Sequence, residues 1–276
     1  MYFSRHAPPA GSSRMIDGAR AAGGAITTLS GADGAIRMPI TLTPGKLIVE
    51  SAYPDPPFEL MEDGKATGFD IELMRVVCGE LGLQLEPRAY AGDDFNGIFD
   101  GLARGTCDAV ISGTTITPER SARVLFSEPY LEFNQGIAVN QRLTPQAATT
   151  ADLRGLTAGI QSGNTSDLVA KRLLAERHIA AIRYYPYHGI ATALDDLEAR
   201  RIGLIIKLFP VISWLVRGRV DLRVAMQVAT REQLGIAFAK GRADLCAAVE
   251  GAIRTLRGNG TVARLEAQWL APRAGA

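Results

Sequence analysis

The sequence predicts an α/β fold built as two lobes, and three observations lead there. From Lys46 onward, short apolar runs alternate with stretches of helical spacing. The same alternation starts afresh after the polar linker within "GIAVNQRLTPQAATT", so each half has its own supply of apolar side chains. A chain of 276 residues with 47% hydrophobic content is long and apolar enough to fill one large core or two ordinary ones.

In the first half, "KLIVES" predicts a strand and "YPDPPFE" a loop whose prolines cannot extend it. "GFDIELMRVVCGELG" places Leu73, Val76, Val77 and Leu81 on one face, with Asp70, Glu72, Arg75 and Glu80 elsewhere. This predicts a helix from Asp70, stopped by Gly82. "QLEPRAY" predicts a second strand. In "DDFNGIFDGLARG" the spacing of Phe95, Ile98, Phe99 and Leu102 predicts a single helix ended by Gly105. "DAVIS" is the third strand. In the second half, "GLTAGI", "RYYPY" and "IGLII" read as strands, "DLVAKRLLAER" and "IATALDDLEARR" as helices, and "QSGNTS" as a turn. The chain then ends in two helices, "ADLCAAVEGAIRTLRG" and "TVARLEAQWL".

Composition excludes several classes of partner. Lys and Arg number 30 against 29 Asp and Glu, a net charge of +1, without the basic excess that nucleic acid or an anionic membrane surface calls for. No apolar run approaches the roughly 18 residues of a membrane span. Cys78, Cys107 and Cys246 lie far apart, with no CxxC pair, and read as buried apolar side chains. His6, His178 and His188 show no metal or nucleophile spacing. Residues 1–45, rich in Gly, Ala and Ser and without the compact apolar stretch of a secretory signal, read as an N-terminal extension.

Candidate chemistry sits beyond strand ends, where open α/β sheets bind ligands because loops and helix N-termini converge there with free backbone donors. "SGTTITPER" follows one predicted strand and "QSGNTSD" another. In the first, Thr117 is a good N-cap and Pro118 a good first helical residue, which puts Arg120 in the opening turn of a short helix. In the second, Asn164 or Thr165 caps a helix. Each residue has an ordinary role when taken alone. An arginine in a first turn is usually solvated, Phe95 at the start of an amphipathic helix is usually core, and Tyr53 and Asp55 are usually turn residues. Together the two segments point to a small anion held between two lobes.

The series "GFDIELMRVVCGELG", "IFDGLARGTCDAVISGTTITPERSARVLFSEPY", "GIQSGNTSD", "LEARRIG" and "LGIAFAKG", in this order, resembles the extracellular solute-binding protein family 3, the substrate-binding components of polar amino-acid ABC transporters. The resemblance covers about Lys46 to Leu270. It implies a class II periplasmic-binding-protein clamshell with two hinge strands, crossing near Val139 and Thr230. Lobe 1 would comprise residues 46–138 and 231–272, and lobe 2 residues 139–230. It also implies that Gly113 offers its carbonyl and Thr115 its hydroxyl to the ligand, while Arg120 grips a carboxylate bidentately. Phe95 would pack on the ligand, the loop with Tyr53 and Asp55 would contact its side chain, and Asn164 and Thr165 would close from lobe 2.

One position departs from the family pattern. Where the family usually has an aspartate for the ligand's α-ammonium, this chain reads "LIIKLFPVI", with Leu208 in that place and Lys207 beside it. Either another acid such as Asp55 or Glu50 holds an ammonium, or Lys207 faces the ligand and the ligand is not a standard α-amino acid; a shift of register is a third reading. The resemblance implies a monomeric periplasmic protein that hands a small carboxylate to a membrane permease, with no cofactor. A cyclohexadienyl dehydratase is similar in fold, but its chemistry needs a pocket acid that "IIKLFPVIS" lacks. A ligand-sensing receptor domain shares the clamshell and is a second alternative.

Overall fold

The structure, a computed structural model, describes residues 41–271. The expected extension up to residue 40, and residue 272 at the expected end of lobe 1, lie outside the described residues. In chain order, β1 (Lys46–Ser51) is followed by β2 (Leu60–Glu62), β3 (Lys65–Thr67), α1 (Phe69–Glu80) and β4 (Gln84–Ala89). A 3-10 turn (Phe95–Phe99) runs into α2 (Asp100–Arg104), then β5 (Ala109–Val110), α3 (Pro118–Arg123), β6 (Leu125–Phe126) and the long β7 (Leu131–Asn140). Next come β8 (Thr157–Gln161), α4 (Ser166–Ala175), β9 (Ala181–Tyr185), α5 (Ile190–Glu198), β10 (Leu204–Leu208) and α6 (Phe209–Leu215). The chain returns along the long β11 (Leu222–Leu234) to β12 (Ala237–Phe238), α7 (Ala243–Gly258) and α8 (Thr261–Trp269).

Among the described residues the strands form two five-stranded sheets, one per lobe, and a separate β2–β3 pair. In the first, the order is β4-β1-β5-β12-β6, with β1 parallel to β4 and β5 and β12 antiparallel to its neighbours. The pleat sends Leu47 and Val49 toward α1, α7 and α8, and Ile48 toward Phe95, Phe99 and Leu102. In the second, the order is β11-β7-β10-β8-β9. Ile137, Val139, Leu204 and Ile206 pack against α4, while Ala138 and Ile205 face α5. Continuous apolar runs such as "GLIIKL" follow from a sheet covered on both faces.

Three local differences from the sequence reading have physical causes. The helix expected through Gly105 is split, because Asp94 accepts from Asn96 N–H at 2.8 Å and tightens the opening into a 3-10 turn before α2. The strand expected from "DAVIS" pairs only over Ala109–Val110, since Ser112 and Gly113 leave the ladder for the loop. The β2–β3 hairpin was not expected, although Asp63 and Gly64, at φ 49° and 75°, supply the left-handed pair that such a turn favours.

β7 and β11 pair antiparallel from Leu131↔Leu234 to Arg223↔Val139 and beyond, with register shifts between Val224 and Met226 and between Val228 and Glu232. These two strands carry the chain between the lobes. Thr230 falls in the second irregularity, but the expected crossing near Val139 needs correction. Gln135 to Val139 already pair with β10, because Ile137 and Val139 fill the second lobe's core. The passage between lobes therefore precedes Gln135, and the boundary expected after residue 138 falls inside a strand.

Candidate functional site

Short loops beyond β5, β8 and β10 meet in one polar cavity. From the first lobe, Thr117 Oγ1 accepts from Arg120 N–H at 3.1 Å and Pro118 occupies the first turn, so α3 starts where the sequence indicates. This start aims Arg120 inward. The side chain is only 5% exposed. Its Nε donates to Asn96 Oδ1 at 3.1 Å, Nη1 to the Thr115 carbonyl at 2.9 Å, and Nη2 across the cleft to the Gly163 carbonyl at 2.9 Å. The guanidinium lies 4.9 Å from the Phe95 ring centre. Burial pulls its pKa down to about 10 against the pull of Glu232, so it stays charged.

From the second lobe, the turn after β8 brings Asn164 and Thr165 to the cavity. Of the two residues expected to cap α4, Thr165 holds the N-cap position but its side chain makes no hydrogen bond to the helix, and the Asn164 amide points to Gln161 Oε1 at 3.4 Å. The Thr165 hydroxyl donates instead to Glu232 Oε2 at 2.6 Å. Thr115 Oγ1 donates to the same oxygen at 2.6 Å, and Gln135 Nε2 donates to Oε1 at 2.7 Å. One carboxylate on a crossing strand thus ties both lobes. Backbone bonds join them as well, Phe95 N–H to the Ser162 carbonyl at 3.1 Å and Tyr187 N–H to the Asp93 carbonyl at 2.7 Å.

Lys207 stands beside the departing position at Leu208. It points inward and is 3% exposed. Its Nζ stands 2.8 Å from Asp55 Oδ1 and 2.6 Å from Gln161 Oε1, and 5.4 Å from the Tyr187 ring centre. Leu208 lines the cavity beside it.

Behind the first lobe's loop lie further buried acids. Asp70 accepts from Gly113 N–H at 2.7 Å and from Tyr130 Oη at 2.9 Å. Burial still pushes its pKa up to about 7. Glu59 accepts from Ser112 Oγ, and its pKa is raised well above the usual range by burial first and then by Asp70 and Asp55. Asp55 is also raised, by burial against the counteracting pull of Lys207.

Eight of the residues singled out from the sequence come together here: Asp55, Phe95, Gly113, Thr115, Arg120, Asn164, Thr165 and Lys207 all line the cavity. Tyr53 does not. It stands half-buried near Ser51 and Glu59, and burial, then the Glu59 charge, raise its pKa. Ser112, Gln135, Ser166 and Tyr187 also line the cavity and were missed. Tyr187 ends the predicted strand "RYYPY", so the strand-end rule that selected "SGTT" reaches it too. Glu232 carries no local signal, because its partners lie 117 and 67 residues away. The walls therefore carry two cations, Arg120 and Lys207, and one carboxylate, Asp55.

The profile of the bacterial extracellular solute-binding proteins, family 3, matches residues 47–272. The ABC transporter arginine-binding protein 1 of Escherichia coli (strain K12) is 28% identical over 227 residues, covering 80% of this chain and 88% of that protein. A solved ancestral arginine-binding protein bound to arginine is 28% identical with a TM-score of 0.74, covering 82% of this chain and 99% of that one. An ancestral amino acid-binding protein described as a precursor of cyclohexadienyl dehydratase is 29% identical with a TM-score of 0.71, covering 82% and 96%.

Proposed function

Because the chain belongs to the bacterial extracellular solute-binding proteins, family 3, we propose that the cavity holds a small carboxylate-bearing metabolite, an amino acid or related acid, for uptake by an ABC transporter. The observation that carries this reading is Arg120. It is a buried cation on the cavity wall, and among the described residues no carboxylate lies within ion-pair distance of it. A buried charge whose nearest influential acid, Glu232, stands beyond ion-pair distance is only partly offset, and a ligand carboxylate would pair with it directly through the guanidinium's remaining N–H groups.

The other walls suit the same solute. The Thr115 and Thr165 hydroxyls donate their protons to Glu232 Oε2 at 2.6 Å each, so toward the solute they present lone pairs that accept from its own donors, such as a hydroxyl. Phe95 offers an apolar face, and Asn164 an amide from the opposite lobe. Donors split between lobes make the ligand bind the closed arrangement more tightly than an open one, which is how binding drives closure. In this reading the protein acts as a monomer outside the cytoplasmic membrane and delivers its solute to a permease. On the same reading it binds without turnover, since the acid on the cavity wall, Asp55, has its Oδ1 engaged by Lys207 at 2.8 Å.

Thermal shift over a panel of small carboxylates tests the reading, since a ligand that binds only the folded state stabilises it by RT ln(1 + [L]/Kd). Arg120→Ala should then weaken the best ligand by about 2–5 kcal/mol in titration calorimetry. Unchanged affinity in the folded variant, or no stabilisation by any carboxylate, overturns the proposal.

A further inference from the structure

The walls of the cavity say more about the solute than that it bears a carboxylate. We propose that Lys207 and Asp55 form a built-in ion pair that fills the cationic seat of the site, so that the preferred solutes are small monocarboxylates without a protonated amine, such as 2-hydroxy acids. This rests on the carboxylate reading above and narrows it.

Asp55 is the one carboxylate on the cavity wall, and Lys207 Nζ lies 2.8 Å from it. Both partners are anchored by neighbouring bonds. Asp55 is held in its loop by its own N–H to the Glu59 carbonyl at 2.8 Å and by its carbonyl to Phe58 N–H at 3.1 Å. Lys207 belongs to β10, paired with Gly136 of β7, and its Nζ is fixed a second time by Gln161 Oε1 at 2.6 Å. Glu232, the other carboxylate nearby, has both oxygens engaged by Thr115, Thr165 and Gln135.

An amino acid entering with its carboxylate on Arg120 would bring its ammonium to walls where Asp55 is already paired with Lys207, while Glu232 behind Thr115 and Thr165 has both oxygens occupied by their donors. To reach Asp55 it must displace Lys207, which would leave that ammonium buried without a counter-charge. A monocarboxylate with a hydroxyl in place of the amine neutralises Arg120, leaves the Lys207–Asp55 pair intact and keeps one hydrogen-bonding group. Specificity then comes from repulsion of the wrong solute as much as from attraction of the right one.

The test is titration calorimetry on the whole chain with matched pairs: alanine against lactate, phenylalanine against phenyllactate, and arginine against argininic acid. Within the pairs that bind, the hydroxy acid should be favoured by about tenfold or more. In Lys207→Met that preference should reverse, because Asp55 becomes free for the ligand's ammonium. Should this variant fold poorly, Lys207→Met combined with Asp55→Asn removes both charges and should abolish the discrimination within pairs. Tighter binding of every free amino acid, lost in Arg120→Ala, overturns this inference and leaves the carboxylate reading standing. Absence of heat from both members of all pairs overturns the two together.

Discussion

Asp70 illustrates how far a residue's surroundings can depart from its place in a sequence pattern. Helical spacing puts it off the apolar face of α1, yet it is fully buried, held by Gly113 and Tyr130, which lie 43 and 60 residues away. No window of local sequence contains those partners, so neither its burial nor that of Glu59 was legible. Arg120 was legible because its cap, its proline and its preceding strand are all neighbours in sequence. The raised pKa of Asp70, to about 7 from 3.8, has a consequence for stability. Between those two values the folded chain holds a proton that the unfolded chain has lost, so stability falls as pH rises through that window and levels off above it. Lowering pH from 8 to 6 should therefore stabilise the protein by roughly 1 kcal/mol through this group. Asp70→Asn should flatten that part of the profile, and denaturant melts at the two pH values measure both. An equal gain in the variant would assign the effect to another group.

Among the elements, the turn between β8 and α4 does more than connect. Gly163 there has φ 79°, and a Cβ at this position would stand 2.3 Å from Asp94 Oδ1 and 2.6 Å from Phe95 N. Both belong to the opposite lobe. The turn was legible as "QSGNTS", but the requirement for glycine comes from the approach of a second chain segment, which no turn rule contains. Gly163→Ala should lower ligand affinity by about tenfold or more, since it keeps the lobes apart where donors must converge. Its cost to thermal stability should be smaller, on the order of 1 kcal/mol for the left-handed backbone. Calorimetric affinity and a melting curve separate the two effects; intact affinity would mean that the lobes need not meet here. Both crossing strands illustrate the converse limit. Their apolar content was visible, but residues of β7 serve one lobe's core or the other by pairing alone, so the boundary placed near Val139 came too late.

At the scale of the molecule, the two-lobed order was legible because a repeated strand and helix grammar reports how many cores a chain can fill. How the lobes touch was not, since Glu232, Gln135 and Tyr187 act through contacts that only the closed fold brings together. The irregular stretch of β11 between Val228 and Glu232, with Arg231 at φ 50°, is where the pairing of the crossing strands is interrupted and bending is easiest. A saturating ligand should shrink the radius of gyration by closing the lobes about that stretch. Small-angle scattering with and without ligand measures this, and identical values in both states would argue against hinge closure. The strand order has a further consequence, for the order of biosynthesis. The first lobe's sheet needs β12 to fill the place between β5 and β6, so its early strands leave the ribosome with a gap that stays open until residues 237–238 emerge. The second sheet is drawn from one unbroken stretch, β7 to β11, and can be complete while α7 and α8 are still being made. A chain truncated after Leu234 and released from the ribosome should thus already protect the amides of β7, β8 and β10 from exchange, while β5 and β6, which β12 would join, remain open.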